Sequence, residues 1–274
     1  MAVFISKRKY NMKNAILLLL LIWFALPSAA QTDKIEVDLT QAGKPYTLEV
    51  SQLHGNIHLT KHAGKNLILE VSINTHTHGT TKDGMRRISA DGEYLRVEEK
   101  NNHVKVSNGR AYRPVHLIIH APEDGHFVLK TINNGNVVVE NISGQFEVTN
   151  VNGKIALMNV AGSAVASTIN GKIEAKFLHV KPSTPMAFST LNGSIDLSFP
   201  GNMKANVKAK TDRGEILSDF DIGALNNEST ITKSQAKGMT RIEASRWLTG
   251  SINQGGPELM IKTVNGNIYI RRNK

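Results

Sequence analysis

Glycine recurs in this chain at positions 135, 144, 153, 162 and 171, nine residues apart each time. A fixed internal period constrains the fold more than any local propensity, because every repeat must then make nearly the same structure. The residues before these glycines alternate as Asn134, Ser143, Asn152, Ala161 and Asn170, so the full unit is eighteen residues built of two related halves. The fuller signature reads Thr168-Ile169-Asn170-Gly171-Lys172-Ile173-Glu174-Ala175. It returns as Thr190-Leu191-Asn192-Gly193-Ser194-Ile195-Asp196-Leu197 and again as Thr263-Val264-Asn265-Gly266-Asn267-Ile268-Tyr269-Ile270. Degenerate copies begin at Gly55, Gly214 and Gly250.

The second and fourth residues after glycine are mostly apolar, as in Val137 and Val139, Ile155 and Leu157, and Ile195 and Leu197. The residues between them are mainly polar. A period of two marks a strand with one buried face. The seventh position is apolar again in Ile142, Val151, Val160 and Ile169, which read as anchors before the next glycine. Asn-Gly is a strong hairpin signal, so an antiparallel meander is one arrangement. The other is a solenoid in which each residue stacks on its equivalent in the next coil. The solenoid explains why one position keeps one residue type. It also lets the period stretch to 22 residues (171 to 193) and 21 (193 to 214) at bulging corners. The expected fold is therefore all-β, a single-stranded parallel β-helix (β-solenoid) with coils of about 18 residues. Asn134, Asn152 and Asn170 should stack, as should Asn141 with Asn159, their amides bonding coil to coil.

The chain's N-terminus reads as a secretory signal peptide over residues 1–30. Lys7, Arg8, Lys9 and Lys13 form a basic region, Ala15 to Leu26 an apolar run of twelve residues, and Ser28-Ala29-Ala30 a small-residue cleavage site. Met12, with Lys13 and the same run behind it, offers a second start. Twelve apolar residues fall short of the ~20 that a membrane span needs, and no second long run follows, so no span is expected in the mature chain. Cysteine is absent, which closes lipid attachment at cysteine, disulfides and cysteine metal sites. Cleavage after Ala30 removes four basic and no acidic residues, leaving 29 basic against 23 acidic, a net charge of +6. Export and the lack of a basic motif with interleaved aromatics argue against nucleic acid as a partner. Aromatics make up 5% of the residues, too few for a broad carbohydrate-stacking platform.

With this repeat the chain resembles the exported bacterial β-strand-repeat proteins known as the "putative adhesin" family, a domain of unknown function. The resemblance is strongest over residues 114–274. It rests on the entering strand Pro114-Val115-His116-Leu117-Ile118-Ile119-His120-Ala121-Pro122 and on the closing stretch from Gly255 through Asn265-Gly266-Asn267-Ile268. It implies a single-stranded parallel β-helix, an adhesive or binding role at the cell envelope, and for some relatives company with envelope-stress systems. It brings no catalytic motif.

The domain reading is residues 1–30 as signal peptide and 31–274 as one β-solenoid, with 31–113 as capping strands and loop and 114–274 as regular repeats. Strands are expected at Ile35–Leu39, Tyr46–Val50, Leu67–Val71 and over 93–106, with a loop over 74–92 and a corner insertion over 224–240.

His54, His58 and His62, and His76 and His78, share strand faces at two- and four-residue spacing, but no carboxylate sits among them to complete a metal site. Asp212, Arg213, Glu215, Asp219 and Asp221 form the densest acidic cluster, which a polysaccharide-cleaving enzyme would need and a solvated corner also has. Lys154 and Lys172 fall in one slot eighteen apart, with Glu174 and Lys176 beside them, as in a mixed-charge solvated face. No nucleophile motif, phosphate loop or nucleotide fingerprint occurs. No catalytic, cofactor-binding or metal residues and no cofactors are expected. The expectation is a non-enzymatic scaffold of the periplasm or cell surface that binds an envelope protein or glycan. An envelope polysaccharide-degrading β-helix enzyme and an accessory or sensor protein of envelope stress are the alternatives. The irregular inserts, 74–92 and 224–240, are where a partner would be sought.

Overall fold

The computed structural model describes residues 32–73, 95–108, 114–236 and 239–273. The signal-peptide reading of residues 1–30 and the insert at 74–92, with His76 and His78, lie outside them. Residues 32–274 form a unit with one continuous apolar core. Its strands, in chain order, are β1 (Thr32–Val37), β2 (Thr47–His54), β3 (Ile57–Lys61), β4 (Leu67–Ile73), β5 (Arg96–Lys100), β6 (His103–Ser107) and β7 (Val115–Ala121). Then come β8 (Gly125–Asn133), β9 (Val137–Glu140), β10 (Ser143–Asn150), β11 (Ile155–Asn170), β12 (Ile173–Val180), β13 (Met186–Asn192) and β14 (Ile195–Phe199). The last are β15 (Ala205–Arg213), β16 (Ile216–Ser218), β17 (Gly223–Ala236), β18 (Met239–Ile252), β19 (Glu258–Asn265) and β20 (Ile268–Arg272).

The eighteen-residue period is realised as parallel register. Gly144 pairs with Gly162 and Val148 with Ala166, while Ile155 pairs with Val137 on one side and Ile173 on the other. Pairing is mostly parallel and arranges the strands in two rows. The first row runs β6, β2, β8, β10, the C-terminal half of β11, β13, β19, β15. The second runs β7, β3, β9, the N-terminal half of β11, β12, β14, β20, β16. Inward side chains of both rows, such as Leu129, Val148 and Phe188 of the first and Val139, Leu157 and Leu197 of the second, join one core. Antiparallel strands extend the rows: β5 on β6, β4 and then β1 on β7, and the β17–β18 hairpin on β15.

The order in space differs from the order in sequence at both ends. The pair β2 and β3 lies between β6 and β7 on one side and β8 and β9 on the other. The chain's last pair, β19 and β20, lies between β13 and β14 and the earlier β15 and β16. Gly214 therefore stacks on Gly266, and Gly266 on Gly193, so the 21-residue step from 193 to 214 is not a step between neighbours. Residues 47–61, expected among the capping strands, are internal, whereas β1 and β4 do cover an edge. Gly250 is no copy of the repeat: it sits in β18, antiparallel to Val207. The described residues of the 224–240 segment lie in β17 and the start of β18, paired antiparallel, rather than in an irregular corner.

At the corner between the rows, glycine is required by close approach. A Cβ at Gly171 would stand 2.0 Å from the Gly153 carbonyl oxygen, and one at Gly193 2.1 Å from that of Gly171. Each such carbonyl also accepts from a buried side chain of an adjacent strand: Thr168 Oγ1 reaches Gly153 at 3.3 Å, Thr190 Gly171 at 3.0 Å, Thr263 Gly193 at 2.9 Å. Outside the corner an amide ladder runs Asn265 to Asn192 to Asn170 to Asn152 at 2.7–2.8 Å, then to Asn133 at 3.3 Å. Asn133 takes the rung expected of Asn134, because this unit carries one extra residue and Asn134 turns out with φ 49°. The second ladder is as expected, with Asn159 donating to Asn141 at 3.2 Å.

Candidate functional site

A concavity follows the other glycine series. Gly125, Gly144 and Gly162 open three successive strands of the first row, and a Cβ at Gly162 would stand 1.9 Å from the Gly144 carbonyl oxygen. With no side chains there, the strand starts leave a groove of about 670 Å³. Its rim carries His103, His126, His179, Gln145 and Lys181, and among its described lining residues Asp124 is the one carboxylate. Tyr46 is buried along it, its hydroxyl donating to the Pro122 carbonyl. Burial, with Asp124 nearby, pushes the Tyr46 phenol above its usual range, so it stays a neutral donor. His126 is held 3.0 Å from Glu147, and His103 lies 3.4 Å from Glu49. At one end the groove shares His179, Val180 and Lys181 with a second hollow of about 330 Å³ that continues along Pro200, Met203 and Gly256. The result is an open furrow crossing the strands, suited to an extended chain.

The outward faces of the two rows differ. The second row carries an alternating charge ladder. Lys154 lies 2.8 Å and Lys172 3.5 Å from Glu174; Lys172 also meets Asp196 at 3.7 Å, and Arg271 closes the series on Asp196 at 2.7 Å. The hydrogen bond from Lys154, with Lys172 alongside, holds the Glu174 carboxyl below the usual carboxylate range. The first row is largely uncharged at its centre: Thr149, Ser167 and Ser189 lie side by side, as do Val165 and Ala187. Ile132, Ile169 and Leu191 are exposed beside them.

The residues singled out from sequence scatter. His58 pairs with Glu140 at 3.2 Å and His62 with Asn66 at 3.3 Å, and no cluster of three metal-ligating side chains forms among the described residues. Asp212 binds Lys210 at 3.1 Å, Arg213 reaches Asn265 at 3.4 Å, and Asp219 accepts from the Arg272 backbone at 3.4 Å. These groups mark an end of the stack, away from the groove. Two features escaped the sequence reading. The groove was signalled by the small-residue pairs Ser143-Gly144 and Ala161-Gly162, half a unit out of phase with Asn-Gly. The exposed aliphatics were misread: of the seventh-position anchors Ile142 and Val160 are buried, but Ile169 is 44% exposed.

The family described as Toastrack DUF4097 matches residues 13–271. Among solved structures, a "putative cell adhesion protein" from Clostridium sporogenes is 13% identical at a TM-score of 0.47, over 89% of this chain and 99% of that one. A "putative adhesin" from Bacteroides fragilis is 13% identical at a TM-score of 0.40, over 90% of this chain and 99% of that one. No curated protein matches.

Proposed function

This chain belongs to the toastrack DUF4097 family, and from that premise we propose that it is a non-enzymatic exported scaffold that holds an extended envelope polymer, a glycan strand or a stretched protein segment, along the glycine-floored groove. The groove's composition carries the reading. It is long and open, its lining mixes polar side chains with apolar surface, and among the described lining residues it offers one carboxylate, where glycoside cleavage uses two at a set separation. Binding would come from many weak contacts repeated along a rigid surface. The parallel eighteen-residue registers support a flattened β-solenoid over residues 31–274 as that rigid body, and the N-terminal basic, apolar and small-residue pattern supports export to the periplasm or surface. Capture from membrane and cell-wall fractions, alongside a glycan array, tests it. The wild type retains a ligand that a His179→Ala, Gln145→Ala variant loses. Polymer turnover that disappears on Asp212→Ala or Glu215→Ala would establish an enzyme instead.

A further inference from the structure

Six aliphatic residues form a stripe at the far end of the same first-row strands whose starts line the groove. Leu53 lies beside Ile132, flanked by the pairs Gln52–Thr131 and His54–Asn133. Asn152 donates to the Ile132 carbonyl and Asn170 to that of Val151, which sets Ile132, Val151 and Ile169 on consecutive strands. Leu191 sits beside Ile169, between the pairs Thr168–Thr190 and Asn170–Asn192, and Val264 follows next to Asn265. At a strand spacing of ~4.8 Å the stripe runs about 24 Å. Ile132 is 41% and Ile169 and Leu191 are 44% exposed, with the other three half-buried. The inward neighbours of these residues are hydroxyls and amides bound to glycine carbonyls, so the aliphatic groups face out by strand alternation and are not strays from the core.

The surroundings say what chemistry covers the stripe. The adjacent hydroxyl column Thr149, Ser167 and Ser189 is bracketed by Lys130, which meets Glu49 at 3.8 Å, and by Lys262; Lys210 beside Lys262 is paired with Asp212 at 3.1 Å. Lys208 extends over the Trp247 ring, 5.1 Å from its centroid. A protein partner held by hot spots would need pockets for its anchors, and the stripe is one side chain wide and flat. A bilayer needs no shape match. It takes up aliphatic side chains at its headgroup boundary, accepts tryptophan there, and attracts lysine through anionic headgroups.

We propose that this face docks the protein peripherally on an anionic lipid surface, through the Leu53–Ile132–Val151–Ile169–Leu191–Val264 stripe and the flanking lysines. The site is separate from the groove and does not depend on what the groove holds. The test uses residues 32–274, which carry their own core, and vesicles of phosphatidylcholine with or without phosphatidylglycerol. The protein should co-sediment with the phosphatidylglycerol vesicles and be released by salt. Ile169→Ser with Leu191→Ser should weaken partitioning about tenfold or more while far-UV spectrum and melting stay near wild type, since both side chains already face out. Lys208→Gln with Lys262→Gln should weaken it and flatten the salt dependence. Absence of binding to anionic vesicles, or undiminished binding by the serine variant, overturns the proposal. So does self-association in sedimentation velocity that the serine variant abolishes, which would make a second copy the occupant.

Discussion

At the residue scale the fold rests on what cannot be placed at the corners. Gly171 has no room for a Cβ because the Gly153 carbonyl oxygen would be 2.0 Å away, and that oxygen belongs to backbone already bonded to its neighbours. Gly43 is the contrast: φ is 81°, but nothing lies within 4 Å of its Cβ direction. The two positions separate close approach from backbone strain. Gly43→Ala should cost roughly 1–2 kcal/mol, the left-handed penalty alone. Gly171→Ala must prise two strands apart and should cost more than about 3 kcal/mol. Urea unfolding of both variants checks the ordering; equal losses would mean that the column of glycines is kept for conformation and not for contact. The same close approach explains the signature threonine. The inward slot beside each glycine faces a carbonyl, so a hydroxyl there is worth more than another methyl, and Thr263 is fully buried yet satisfied.

At the scale of elements, alternation decides which face is which. In the second row the ladder of Lys154, Glu174, Lys172, Asp196 and Arg271 offsets charge between adjacent strands. Glu174 is more acidic in the fold than in a free chain, so its stabilising effect is fully present above the unfolded carboxyl range, near pH ~4.3, and is lost as pH falls through the lower folded value. Glu174→Gln should remove that part of the acid limb. Its stability should fall less steeply than that of wild type below pH ~4, by under about 1 kcal/mol because the pair is partly solvated, as urea melts across the acid range would read out. Strand positions, eighteen-residue registers and this charged face were all legible in the sequence, since period two and identity of slot are local properties. The uncharged face was not. Ile169 and Ile142 occupy the same slot of their half-units, but the Asn-Gly half ends inward-outward-corner with threonine as its inward residue. A polar inward residue hides the alternation from any hydrophobic count.

On the scale of the whole molecule, the order of the rungs is not the order of the chain. Thr263-Val264-Asn265-Gly266 is a full copy with neighbours on both sides, Asn192-Gly193 and Arg213-Gly214. Thr211-Asp212-Arg213-Gly214 keeps the threonine and glycine but places charge in the outward slots, and Arg213 ends the amide ladder on Asn265. Spacing alone places 205–218 directly after the Gly193 rung, where the last strands of the chain lie instead. The consequence is a dependence that a sequential stack lacks. Removing residues 258–274 takes one of two parallel partners from β13 and β14, which keep β11 and β12, and takes β19 and β20 from β15 and β16. Hydrogen exchange on the truncated chain should show protection lost over 205–218, weakened over 186–199 and retained over 137–175, at a cost above about 5 kcal/mol. A stack built in sequence order would lose only its last turn. During refolding the same geometry requires 205–218 to wait for the end of the chain. Pulse-labelling should therefore find these residues protected together with 258–272, a pairing some fifty residues apart in sequence, and later than the repeats at 137–175, whose partners are eighteen residues away. Protection of 205–218 ahead of 258–272 would show that it first pairs elsewhere, on the β13–β14 edge that β19 and β20 finally occupy.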